Sequence, residues 1–222
     1  RGGVPLDYHT LNDFRTGHRE AMSHLLTQIL GVLQNKGLVE MKRVAQDGTR
    51  VRASAGAASF HREKTLQEHL AEAREQVERL VREAEEAAPK VRKRQEAARL
   101  RAARDRQQRL QEALAELPKV RQAKKTEEKK MDARVSSTDP EARVMKMGDG
   151  GWRPAYNVQF ATDTQTQVIV GVAVTNAGSD QNELPPMLDQ LQTRMGHLPE
   201  EALVDGGYAT KESIDVATER AV

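Results

Sequence analysis

Ala202-Leu203-Val204-Asp205-Gly206-Gly207-Tyr208 is a short apolar run closed by an aspartate and two glycines. Such a run predicts a buried strand that stops at a turn. The carboxylate is then held at the rim of a sheet, and the glycine lets a ligand approach the backbone closely. A second run of the same construction lies far upstream, Val44-Ala45-Gln46-Asp47-Gly48-Thr49. Taken singly, each Asp-Gly is an ordinary turn sequence. Brought together, Asp47 and Asp205 make a pair of oxygen ligands suited to Mg²⁺. Two metals bound there are suited to in-line attack on a phosphodiester.

Outward from these runs, the pattern alternates between helix and strand. Phe14, Met22, Leu25, Leu26, Ile29, Leu30 and Leu33 recur at helical spacing from Thr10 to about Lys36, where Asn35-Lys36-Gly37 supplies a stop. Leu38–Ala53 reads as the first strand. Past the middle of the chain, Gly148-Asp149-Gly150-Gly151 signals a hairpin leading into Trp152. Tyr156–Ala161 alternates Tyr, Val and Phe with Asn and Gln, the pattern of a strand with one apolar and one polar face. Val168–Val174 is a nearly continuous apolar strand. Glu183–Met195 is an amphipathic helix with Pro185 and Pro186 in its first turn. The strand ending at Asp205 follows, and a helix from Thr210 to Glu219.

Between the first and second strands lies a charged segment of different character. Leu66, Leu70, Ala73, Val77, Leu80, Ala84 and Ala87 step by four and three, a heptad seam. Pro89 interrupts it. Leu100, Ala103, Gln107, Leu110, Leu114 and Leu117 form a second seam that runs until Pro118. An antiparallel hairpin buries both seams; a kinked, continuous coiled coil is the alternative.

Of the 222 residues, 31% are charged and 3% aromatic, so a core is affordable only toward the two ends, where Val, Leu and Ile concentrate. The absence of cysteine excludes disulfides and thiolate metal sites, and fits a reducing cytoplasm. No stretch approaches a membrane span and no signal peptide opens the chain. A net charge of +2 does not by itself announce nucleic-acid binding. Basic residues do cluster between Lys90 and Arg109 and from Lys119 to Lys130, either as a solvated helix face or as a nucleic-acid brace.

Four stretches in order resemble the DDE transposases of bacterial insertion sequences: Asp7-Tyr8-His9-Thr10-Leu11-Asn12-Asp13-Phe14-Arg15, Asp47-Gly48-Thr49-Arg50-Val51-Arg52-Ala53, Arg153-Pro154-Ala155-Tyr156-Asn157-Val158-Gln159 and Val204-Asp205-Gly206-Gly207-Tyr208. The resemblance implies an α/β, RNase H-like mixed sheet interrupted by a long helical, coiled-coil-like insertion between its first and second strands. Residues 1–58 would hold the N-terminal helix and first strand, 59–130 the helical hairpin, and 131–222 the continuation of the core. Asp47 and Asp205 would be the first two catalytic acids and metal ligands, with two Mg²⁺ ions in the complete enzyme. The partners implied are DNA, as transposon ends and target, and a second copy of the enzyme in a homodimer; the location implied is the bacterial cytoplasm. The family's third acid, a glutamate on a later helix, has no counterpart here. Glu201, Glu212 and Glu219 do not match its setting. With Arg1 at the start, the chain is expected to be an internal piece of a longer protein that does not cut or join DNA alone. A transposase remnant, a coiled-coil interaction module and another RNase H-like nuclease are the alternatives.

Other candidates carry two readings each. Thr49 either orients the first acid or is simply a strand residue. Tyr208 either packs at a strand–helix junction or meets DNA. Asp163, in Ala161-Thr162-Asp163-Thr164, is a competing metal ligand or a hairpin-turn residue. Trp152 and Tyr156 pack on the sheet or stack on nucleic acid. His61, His69 and His197 lack zinc-motif spacing.

Overall fold

The computed structural model describes residues 7–86 and 93–222, so the break predicted at Pro89 lies outside the described residues, as do Ala87 and Arg92. Among the described residues there are seven α-helices and a mixed sheet, an α/β protein. No helix among them is long and apolar enough to cross a membrane. The chain divides into two compact units.

The first unit comprises Arg1–Gly48, Gln159–Ala173 and Ser179–Val222. It opens with α1 (Tyr8–Gly17) and α2 (Arg19–Asn35) rather than one long helix. Only Leu30 of α2 is fully buried, with Leu26 and Leu33 packed beside it; Phe14, Leu25 and Ile29, expected on the packed face, are about half exposed. β1 (Arg43–Arg52) starts later than the apolar pattern suggested, because the chain turns at Met41, whose φ is 51° while its side chain is buried in the core.

In this unit the strand order is β6 (Ile169–Thr175), β5 (Trp152–Asp163), β1 and β7 (Glu201–Leu203). β5 turns back into β6 through a hairpin closed by Asp163 N–H donating to Val168 O at 2.9 Å. β1 and β7 are parallel, with Arg43, Val44 and Ala45 opposite Glu201, Ala202 and Leu203. Between β6 and β7 the chain forms α6 (Leu184–Met195), and α7 (Lys211–Glu219) follows β7.

Leu30, Val39, Met41, Val44, Ala161, Val170, Met187, Leu191 and Met195 make the core. Each fully buried Leu, Val or Met of this set contributes roughly 1.5–3 kcal/mol of hydrophobic stabilisation. Helix α6 packs so closely on β6 that a Cβ on Gly171 would lie 2.6 Å from Met187 Sδ. The Gln190 side chain of the same helix donates to Val172 O and accepts from Val172 N–H, both at 2.9 Å. Thr210 caps α7, its Oγ1 accepting from Ser213 N–H at 3.1 Å.

The second unit comprises Thr49–Val158 and Val174–Gly178. Here β4 (Arg143–Lys146) pairs antiparallel with β5, Arg143 opposite Ala155 and Lys146 opposite Trp152. The predicted hairpin is present: Met147 N–H donates to Gly151 O at 2.7 Å. Two short strands that the pattern did not announce, β2 (Phe60–His61) and β3 (Val135–Ser136), pair antiparallel. α3 (Glu63–Glu86) and α4 (Lys93–Gln122) run antiparallel: Arg121 near the end of α4 meets Glu63 at the start of α3 at 2.7 Å, and Arg106 reaches Gln76 at 3.3 Å. Leu66, Leu70 and Ala73 bury against Leu110, Ala113, Leu117 and Val120. Ala84 at the far end of the first seam is exposed. Pro118 does not end its helix, which continues to Gln122. A short helix, α5 (Glu127–Met131), follows, with the Thr126 hydroxyl as its cap.

Candidate active site

The parallel register of β1 and β7 leads up to the two aspartates. Arg43 faces Glu201, Val44 faces Ala202 and Ala45 faces Leu203. The pairing ends at Ala45 and Leu203; Asp47 follows Ala45 by two residues, midway along β1, and Asp205 follows Leu203 by two residues, just past the end of β7. Both are exposed. Each folds one oxygen onto a following glycine: Asp47 Oδ1 accepts from Gly48 N–H at 2.7 Å, and Asp205 Oδ1 accepts from Gly207 N–H at 2.7 Å. Hard oxygen donors of this kind suit Mg²⁺ or Mn²⁺ rather than a thiophilic metal.

Behind the pair lies a buried polar network that the sequence did not reveal. Gln46, immediately before Asp47, points inward; its Nε2 donates to Gln159 Oε1 and to the backbone oxygen of Glu183, both at 3.0 Å. Tyr208, three residues beyond Asp205, is fully buried among Leu184 and Leu188 and donates its hydroxyl to the same Gln159 oxygen at 2.5 Å. Gln159 Nε2 donates to Asp180 Oδ1 at 2.8 Å. Asp180 sits in the loop before α6, which Asn182 ties to the α7 cap by accepting from Thr210 Oγ1 at 2.7 Å.

Burial pushes the Tyr208 phenol well above its ordinary range; the charge of Asp180 adds to this, and those of Asp47 and Asp205 add further. Three carboxylates thus share one electrostatic neighbourhood around a hydroxyl that stays protonated. Among the described residues, no group of three or more His, Cys, Asp or Glu is arranged to hold a metal. Asp47 and Asp205 are the candidate ligands, and Asp180 is turned to Gln159.

The remaining candidates separate clearly. Asp163 is buried, and both of its oxygens serve its own turn: Oδ1 accepts from Gln165 N–H at 3.3 Å and Oδ2 from Thr166 Oγ1 at 2.7 Å. Tyr208 packs at the strand–helix junction, the first of its two readings, and its hydroxyl bonds inward. Thr49 is exposed on β1. Trp152 does not pack on the sheet; it is 68% exposed. Tyr156 is half-buried, its hydroxyl donating to Asp139 at 2.5 Å. His61 and His69 pack edge to face on each other. Inward-facing Gln46 and Gln159 could have been found only by noting amides at positions where a buried strand face calls for apolar residues.

No curated protein and no solved structure matches the chain. Residues 125–222 match the family model described as transposase DDE domain. The match takes in β5, β6, α6, β7 and α7 together with Asp205, Gln159, Asp180 and Tyr208. Over residues 125–222, somewhat less than half of its length, the chain is similar to the DDE transposases.

Proposed function

We propose that the chain presents the first two acids, Asp47 and Asp205, of a metal-dependent DNA transposase centre. The observation that supports this is the parallel β1–β7 register, which pairs Ala45 with Leu203, each two residues before one of the acids. In the first unit the strand order β6-β5-β1-β7, with a helix between β6 and β7, supports an RNase H-like core. The antiparallel pair α3–α4, lying between β1 and β5 in sequence, supports a helical insertion.

Asp47 and Asp205 would hold Mg²⁺, two ions in the complete enzyme, and the metals when bound would supply Lewis-acid stabilisation of the phosphorane charge. The reaction is a pair of in-line displacements. Water attacks a phosphodiester at the transposon end, the P–O3′ bond breaks, and a 3′-hydroxyl leaves. That hydroxyl then attacks a target phosphodiester, forming one P–O bond as another breaks. The chain's own residues fix carboxylate positions. No side chain forms a covalent intermediate. DNA is the substrate, and a homodimer would present one centre to each transposon end.

Two acids are one short of the family's three. The 222-residue chain is therefore expected to bind Mg²⁺ weakly and not to cut or join DNA, because Mg²⁺ demands near-octahedral geometry and gives up water reluctantly. Titration with Mn²⁺, followed by electron paramagnetic resonance, tests the site. Asp47→Ala and Asp205→Ala should each weaken binding about 10-fold or more, as loss of one of few ligands does. Unchanged affinity in both variants would overturn the assignment, and robust cleavage by residues 1–222 would overturn the expected inactivity.

A further inference from the structure

We infer that Gln159 and Tyr208 are positioning residues for the aspartate pair: the buried Gln159 amide sets the spacing of Asp47 and Asp205 by tying Gln46 and Tyr208 to one oxygen. This rests on the metal-site assignment proposed above.

Gln159 Oε1 receives the Tyr208 hydroxyl at 2.5 Å and Gln46 Nε2 at 3.0 Å, while its own Nε2 holds Asp180 at 2.8 Å. One side chain therefore joins β1, the loop before α6 and the turn after β7. Each tie sits close to an acid along the chain. Gln46 is adjacent to Asp47, so fixing the inward amide fixes the backbone that carries the outward carboxylate. Tyr208 N–H donates to Asp205 O at 3.2 Å, so the phenol anchors the end of the turn that Asp205 begins.

The network also discriminates between registers. Gln46, Gln159 and Tyr208 are at most 5% exposed. A buried amide or hydroxyl without a partner costs about 1–3 kcal/mol by mutational measures. Gln46 Oε1 has no partner among the described residues, so the orientation of that amide depends on what its Nε2 meets. A slip of β1 against β5 would orphan Gln159 and Tyr208 as well. Apolar residues of equal volume would fill the same space and tolerate the slip, so the amides confer a specific register that packing alone does not.

Tyr208→Phe keeps the ring in its pocket and removes only the hydroxyl. In the 222-residue chain, Tyr208→Phe and Gln159→Leu should each weaken Mn²⁺ binding about 10-fold, the range seen when groups that orient metal ligands are removed. Amide exchange at Gly206 and Gly207 should accelerate in the same variants. Leu188→Ala, which loosens the same apolar cluster without touching the network, should leave Mn²⁺ affinity within about two-fold, a separation of packing from positioning. Loss of binding in Asp205→Ala with wild-type binding in Tyr208→Phe would overturn the inference and spare the metal site. Wild-type binding in Asp205→Ala would overturn the metal site. The exchange measurement needs no metal: unchanged rates at Gly206 and Gly207 in Tyr208→Phe overturn the inference by themselves.

Discussion

The Asp205 carboxylate folds back over Gly207, its Oδ1 accepting the Gly207 N–H at 2.7 Å and lying 2.9 Å from where a Cβ on that glycine would stand. Carboxylate and side-chain position compete for one space. Gly207→Ala should therefore displace the Asp205 carboxylate while leaving the backbone fold intact. The expected result is Mn²⁺ affinity reduced about 10-fold, in the range for disturbed ligand orientation, with an unchanged far-ultraviolet circular dichroism spectrum. Gly206→Ala is the comparison, since, its two chain neighbours aside, no atom of the described residues lies within 4 Å of its added methyl group. Equal metal affinity in both variants would show that the close approach has no consequence.

Glu116 on α4 accepts from Arg143 at 2.8 Å and Lys119 at 2.5 Å, at 12% side-chain exposure. Burial alone pushes its carboxyl up, but the hydrogen bonds and charges of Lys119 and Arg143 hold it below its ordinary range. A depressed folded-state value means that this stabilisation is complete above the unfolded glutamate value of about 4.3 and is lost as pH falls through the folded value. Glu116→Gln should destabilise the chain by about 1–2 kcal/mol near neutral pH. The gap between variant and wild type should close as pH drops below about 4. Urea unfolding at both pH values measures it, and a pH-independent gap would refute the ionic contribution.

Gly171 meets Met187 Sδ at 2.6 Å and Ala161 Cβ at 3.1 Å once a Cβ is built on it. Gly171→Ala should overpack the interface of α6 with β6 and cost about 1–3 kcal/mol. Adding Met187→Ala should recover part of that loss, because the two sites share one space and their effects cannot be additive. Additive thermal shifts would contradict the packing.

Asp163 separates turn chemistry from metal chemistry. Asp163→Ala removes both acceptor oxygens from the β5–β6 hairpin, leaving Thr166 Oγ1 without its 2.7 Å partner. Stability should fall by about 1–2 kcal/mol, with Mn²⁺ affinity unchanged. A drop in metal affinity matching that of Asp205→Ala would reinstate Asp163 as a ligand.

The two apolar runs that precede the acids were legible as strands, and β1 and β7 pair in parallel through Val44 and Ala202; β1, however, continues through Asp47 and Gly48 to Arg52 instead of stopping at the turn that Asp-Gly suggested. The faces of β5 were not legible. Its alternation of Tyr156, Val158 and Phe160 with Asn157 and Gln159 suggested that the amides face water. The structure buries Asn157 and Gln159 completely and leaves the larger residues half-buried. Hydropathy carries no information about partners, and here Arg50 donates to Asn157 at 2.9 Å while Gln46 and Tyr208 donate to Gln159. Pro118 misled for a related reason: packing of Leu110, Ala113 and Leu117 against α3 outweighs one lost helical hydrogen bond. In α2, apolar spacing identified the helix but not its packed side, because Leu25 and Ile29 share the spacing of Leu26 and Leu30 without their burial.

The doubly bonded Gln190 amide has a bearing on association between chains. β6 lies beyond β5 at the end of the strand order in its unit, and the Val172 N–H and C=O are the kind of groups through which a foreign strand could attach. Gln190 occupies both, imitating one residue of a neighbouring strand. The rim is thereby closed to strand addition at that point by a side chain from the helix above it. Protection from edge-to-edge aggregation is built into the same contact that seats α6.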